Sequence, residues 1–200
     1  MANKYSPNRI VPFALIITIV VIILIAIVVV SRVLFFTAPS VTEQSIATSQ
    51  QALLDTSVDR SVAMTVRGPI VSTEDYRSYQ IKISSSNRNL TIYKGYDNQV
   101  VSSIKLGNSV AAYEQFVYAL NQANYMDSIE LTGDANDIRG VCSTSRLYQF
   151  QILNANTPVK QLWTSSCSSS KGSFTASVDS VTKLFLTQIT NNKSLINNLW

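Results

Sequence analysis

Twenty-one consecutive residues, Ile10 to Val30, carry no charge, and only Pro12 and Thr18 depart from an apolar run. Wound as a helix, such a run is ~31 Å long, the thickness of a bilayer's hydrocarbon core. A buried helix of a soluble protein seldom reaches this length with no polar face. Pro12 falls in the first turn, where a missing N–H costs least. The run is longer than the apolar core of a cleavable signal, about 7–15 residues, and its exit, Ser31 to Pro39, has no A-x-A site. There is no early cysteine to carry a lipid. A permanent anchor over residues 10–36 is therefore expected, with the lipid bilayer as its partner. Lys4 and Arg9 precede the run with no acid beside them, which keeps the short head, residues 1–9, in the cytosol and sends the rest outside. Arg32 can snorkel to the headgroups with Phe35 and Phe36 at the interface.

This topology changes the meaning of the charge. The formal net of +4 owes three cations to the flanks of the anchor, Lys4, Arg9 and Arg32; the other 13 basic residues face all 12 acids, leaving the outer part near +1. No basic run with interleaved aromatics stands out, so nucleic-acid binding is not expected. The chain has no histidine, which excludes Ser-His-Asp and Cys-His catalysis and the usual zinc sets.

Residues 37–57 read as a stalk, with a helix expected from Thr42 to Leu54 on a thin stripe of Ile46, Ala47, Leu53 and Leu54. From residue 58 to 200 the pattern is that of one α+β domain: an antiparallel sheet with two helices packed on one face. Val58, Arg60, Val62, Met64 and Val66 alternate with smaller or polar residues up to Gly68-Pro69. Tyr79, Ile81 and Ile83 alternate next and, after a turn over Ser84 to Asn89, Leu90 and Ile92 resume; pairing Ile83 with Leu90 and Ile81 with Ile92 gives one apolar hairpin face. Val100 to Leu106 follows a turn at Asp97-Asn98. Ser109 should cap a helix that buries Val110, Tyr113, Val117 and Leu120, widened by Phe116 and Ala119, and that ends near Asn124. A polar loop, Leu131 to Gly140, leads to a second hairpin. The last helix should begin near Ser177, with Asp179 in its first turn and Val178, Val181, Leu184, Phe185 and Ile189 inward. At an offset of 69 residues, Tyr79-Gln80 falls on Tyr148-Gln149, Ile83 on Ile152, Phe116 on Phe185 and Leu120 on Ile189. A duplicated strands-then-helix unit would explain this, and so would chance.

The two cysteines, Cys142 and Cys167, are expected to form a disulfide. If strands Cys142 to Leu153 and Val159 to Cys167 turn about Asn154-Ala155, the two sulfurs lie opposite each other, on the face that carries Tyr148, Phe150, Ile152, Val159 and Trp163. An oxidising outer compartment suits the bond.

Other chemistry is sparse. Ser102 to Lys105, Ser168 to Lys171 and Ser180 to Lys183 match S-x-x-K, but no companion motif follows, as lysine-assisted serine hydrolysis requires. Glu130, Asp134, Asn136 and Asp137 begin like a calcium loop, but Ile138 and Arg139 stand where a ligand and the turn glycine belong. No phosphate loop is present. No catalytic, metal or cofactor site is expected. Asn89-Leu90-Thr91 and Asn192-Lys193-Ser194 match the glycosylation triplet. Tyr76, Tyr93, Tyr96, Tyr118 and Tyr125 do not all fall on expected core faces and make up the candidate binding surface.

The layout of short basic head, Ile/Val anchor and small Ser/Thr/Asn-rich outer domain resembles the N-terminally anchored proteins of candidate-phyla bacteria of the Saccharibacteria type. The stretches that carry the likeness are Arg67-Gly68-Pro69-Ile70-Val71, residues 112–120 and Leu131 to Asp137, and it implies no activity. The chain is also similar in layout to type IV pilins, which join an apolar helix to an antiparallel sheet with a late disulfide. It departs from them in having no glutamate before Glu43 and in Pro39, which would break a continuous helix. The expected function is a surface-displayed interaction or structural domain without catalysis. The alternatives are a pilin-like assembly subunit, self-associating through anchor or stalk, and an envelope hydrolase with a Ser/Lys site.

Overall fold

A computed structural model describes residues 17, 19–25, 41–197 and 199, and of residues 41–47 and 193 the backbone alone. The chain divides into two compact units, Met1–Glu43 and Gln44–Trp200. In the first, residues 17 and 19–25 are helical, and the aliphatic side chains from Ile17 to Ile25 are about half exposed. No helix among the described residues is long and apolar enough to cross a membrane. The greater part of the expected anchor, and the whole of the head, lie outside the described residues.

The second unit begins within helix α1 (Val41–Leu54). Leu53 near its end is 1% exposed and joins the core, and Asp55 accepts a hydrogen bond from Arg60 Nε at 2.7 Å. The end of the expected stalk is thus part of the domain, because Leu53 has apolar surface to bury there.

Six described strands form one antiparallel sheet in the order β4-β3-β2-β1-β5-β6: β1 (Arg60–Arg67), β2 (Arg77–Ser84), β3 (Asn87–Lys94), β4 (Gln99–Gly107), β5 (Leu147–Asn154) and β6 (Thr157–Ser165). Period-two alternation gives the sheet two unlike faces. Val62, Met64 and Val66 of β1, Ile81 and Ile83 of β2, Leu90 and Ile92 of β3, Phe150 and Ile152 of β5 and Leu162 of β6 all belong to one buried cluster. Helix α2 (Val110–Gln122) adds Tyr113, Phe116, Val117 and Leu120 to it, and α3 (Val178–Thr187) adds Val181 and Phe185. Each buried aliphatic or aromatic side chain contributes about 1.5–3 kcal/mol. The expected Ser109 cap is in place, its Oγ accepting from Ala112 N–H, and the last helix starts where expected, with Ser177 Oγ accepting from Ser180 N–H. The helix after Thr187 does not continue; a short helix α4 (Asn192–Ile196) follows.

Both hairpin registers differ from the sequence expectation. Ile81, not Ile83, pairs with Leu90, because the β2–β3 turn spans only Ser85 and Ser86. The shift is two residues, so every side chain keeps its face. In the second hairpin Phe150 pairs with Leu162 instead of Val159, a shift of three: the turn accounts for two residues of it, and a β-bulge between Ile152 and Leu153, which skips Val159, for the third. The turn is Ala155-Asn156, with Ala155 in the left-handed region at φ 54°. An odd shift moves one strand's side chains to the other face. Trp163 therefore lies beside Gln149, on the side away from Phe150.

The residues related by the 69-residue offset flank β1 symmetrically. Val66 pairs with Tyr79 on one side and Tyr148 on the other, Thr65 with Gln80 and Gln149, and Val62 with Ile83 and Ile152. Phe116 and Phe185 meet edge to face, with ring centroids 5.3 Å apart.

Candidate functional site

The sheet face opposite the helices is polar. Thr65 and Arg67 of β1 lie between Gln80 and Ser78 of β2 and Gln149 and Leu147 of β5; Tyr93 and Gln161 belong to the same face. Segments at one end of the sheet turn this face into a groove. The chain between α2 and β5 passes a 3-10 turn (Gly133–Asn136), where Asn136 Oδ1 accepts from Trp163 Nε1 at 2.9 Å. Ile138 follows over the face, and Ile70 N donates to Ser143 O at 2.7 Å.

The chain after β6 closes on the other side of Trp163. Trp163 N donates to Ser173 Oγ, and Phe174 N donates to Trp163 O. Gly172 is required there: a Cβ would lie 2.1 Å from Trp163 O and 2.5 Å from its ring. The stretch from Ser168 to Gly172, which composition suggests is loose, is thus tied down at several points.

The disulfide joins these two loops. Cys142 and Cys167 are bonded, with Cα atoms 5.6 Å apart. The pairing agrees with the sequence expectation, but the geometry behind that expectation does not hold. Neither cysteine is in a strand: β5 starts only at Leu147, β6 ends at Ser165, and Cys142 has a left-handed φ of 52°. The bond fastens the groove wall instead of cross-bridging the hairpin.

The groove has a volume of about 450 Å³ and continues into a second hollow of about 250 Å³; Arg67 and Ile138 line both. In the second hollow Tyr76 and Tyr96 stack, with centroids 4.2 Å apart, and Tyr96 Oη donates to Val71 O at 2.7 Å. Burial pushes the Tyr76 phenol upward in pKa, and the Arg67 guanidinium opposes that. Arg67 makes no ion pair among the described residues, and no carboxylate lines either hollow. The amides are partly engaged: Gln80 Nε2 donates to the Thr65 hydroxyl at 3.1 Å, and Gln151 Nε2 to Gln161 Oε1 at 2.7 Å.

The five tyrosines are not one surface. Tyr93 lines the groove, and Tyr96 stands at the second hollow over Tyr76, which is 7% exposed. Tyr118 is 49% exposed on α2, in the helical layer. Tyr125 is wholly buried, its hydroxyl 3.2 Å from Ala63 O and 3.1 Å from Gln151 O, so it cannot present a surface. Gln80, Gln149 and Arg67 are groove residues that the sequence reading passed over; their signal was the polar half of an alternation read only for its apolar half.

Of the S-x-x-K pairs, Ser102 and Lys105 take opposite parities on β4 and so opposite faces. Asp137 is held by Arg139, which lowers its carboxyl to about 2. Among the described residues no three acidic or sulfur side chains gather as a metal group. No protein-family model matches the chain, and no curated protein matches it.

Proposed function

We propose that this chain is a membrane-anchored, extracytoplasmic binding module, without catalysis, that holds a polar ligand in the groove on the open face of its sheet. The observation that carries the reading is the groove: a concave surface with glutamine amides, an arginine with no acid partner among the described residues, and a stacked tyrosine pair. Such a surface donates hydrogen bonds to carbonyl, hydroxyl or anionic groups of an extended ligand and offers aromatic contact at one end. The apolar run, Ile10 to Val30, supports an anchor over residues 10–36, and the basic flank supports the outside location of the domain. The disulfide is consistent with an oxidising compartment. The symmetric flanking of β1 supports descent of the two strand-and-helix halves from one duplicated unit.

The test is a photo-crosslinking contrast in intact cells. A benzophenone amino acid in place of Tyr93 should give adducts that weaken when Arg67→Ala is added; the same group in place of Tyr118 should give none. Adducts at 118 alone, or at neither position, would contradict the reading.

A further inference from the structure

A separate cavity of about 210 Å³ lies where β1 begins and β2 ends, lined by Asp59, Ser61, Lys82, Asn89 and Asn156 among others. By register, Ser61, Lys82 and Asn89 all stand on the open face. Among the described residues, four buried side-chain polar atoms lack a hydrogen-bond partner, and three of them, Arg60 Nη1, Ser61 Oγ and Asn89 Oδ1, belong to residues of this lining; by register Arg60 stands on the opposite face of β1 and reaches Asp55, so Ser61 and Asn89 are the two on the open face. Ser61 is only 2% exposed. Leaving such an atom unpaired costs about 1–3 kcal/mol, so a cavity whose walls keep two of them, on either side of β2, is built to be completed by something else.

The chemistry of the completing group follows by elimination. Lys82 Nζ donates to Asn156 Oδ1 at 2.7 Å and, more weakly, to Ala155 O at 3.4 Å; an ammonium has a third proton to give. A cation would be repelled by that ammonium. An anion would meet the Asp59 carboxylate and the Asn89 oxygen, neither of which can donate. Hydroxyl groups both give and accept: one can donate to Asn89 Oδ1 while its neighbour accepts from Lys82 or Ser61. We infer that this cavity is a binding site for a neutral polyhydroxylated ligand, a sugar, held by Ser61, Lys82 and Asn89. The site is distinct from the groove, whose residues it does not share.

Saturation-transfer NMR on the full-length protein tests this with methyl hexosides, the free hexoses and N-acetylglucosamine, and with acetate and methylammonium as charged probes. At least one sugar should receive saturation, and neither charged probe should. Methyl glycosides binding as well as free sugars marks a glycan-borne residue, and binding of free sugars alone marks a soluble one; either supports the site. Ser61→Ala and Asn89→Ala should each weaken binding about five- to tenfold, the worth of one hydrogen bond, whereas Gln161→Ala in the groove should leave it unchanged. Because Ser61→Ala removes an unpaired buried hydroxyl, its melting temperature should equal or exceed that of the parent, which separates lost binding from lost folding. Saturation of no sugar, equal saturation of the charged probes, or sugar binding that survives both substitutions would overturn the assignment.

Discussion

Tyr125 follows α2 and enters the sheet's core side, where its ring meets Phe150 and Phe185 with centroids within 6 Å and its hydroxyl reaches the backbone of both β1 and β5. Burial raises its pKa, so the hydroxyl remains a donor at ordinary pH. Tyr125→Phe keeps the rings and removes the donor, and should cost about 1 kcal/mol in chemical unfolding. Asp55 is the other residue with a defined task. The hydrogen bond from Arg60 holds its carboxyl below the ordinary 3.8. A depressed folded pKa gives stability that is present above the unfolded value and lost as pH falls through the folded one. Asp55→Asn should therefore destabilise by about 0.5–1 kcal/mol at pH 7, the contact being largely solvent-screened. The gap should close as the medium is acidified below 3.8 and through the depressed value. A gap that persists in strong acid would mean the carboxylate charge is not what matters. Tyr125 was not legible as a core residue because it lies beyond the helix, where the 3.6-residue period no longer assigns a face.

At the scale of elements, the apolar faces could be read and the registers only in part. A face needs only the two-residue period of the pleat, and an even slip preserves it, as at Ile81 and Leu90. A register needs the turn. The turn at Ala155-Asn156 puts an alanine in the left-handed region, with no glycine to announce it. That turn shifts the register by two, and a β-bulge between Ile152 and Leu153 makes the slip odd and moves Trp163 to the face away from Phe150; the strands also end before either cysteine. The observed loops make two predictions. Replacing Cys142 and Cys167 together with Ala should lower stability by about 2–4 kcal/mol and leave the far-ultraviolet circular dichroism unchanged, since neither residue is in a strand. Loss of strand signal would contradict the placement of the bond. Gly172→Ala should cost about 1–3 kcal/mol through overpacking against Trp163 and red-shift the tryptophan emission as the loop lifts. A neutral result would mean that the loop does not close on the ring.

For the whole molecule, the account joins an anchor read from composition to a face built by the fold. The proposed anchor rests on the sequence, because hydrocarbon thickness sets a length that few other structures need. The groove is not legible there, because its residues come from β1, β2, β3, β5 and β6, from Asn98 and from a loop, Ile138, that the disulfide, the Trp163 contact and the Ile70–Ser143 hydrogen bond hold in place. The measurement that tests both parts at once is labelling of single introduced cysteines by a membrane-impermeant maleimide, in intact cells and on the purified protein. Gln161→Cys reports on the groove and Tyr118→Cys on the helical layer; both positions are exposed. The account predicts that both react on purified protein, and that in intact cells Tyr118→Cys reacts at the same rate while Gln161→Cys is markedly slowed by ligand in the groove. If neither reacts until the cells are lysed, the domain is not outside; if Gln161→Cys reacts in cells as fast as on purified protein, the groove is not a binding face.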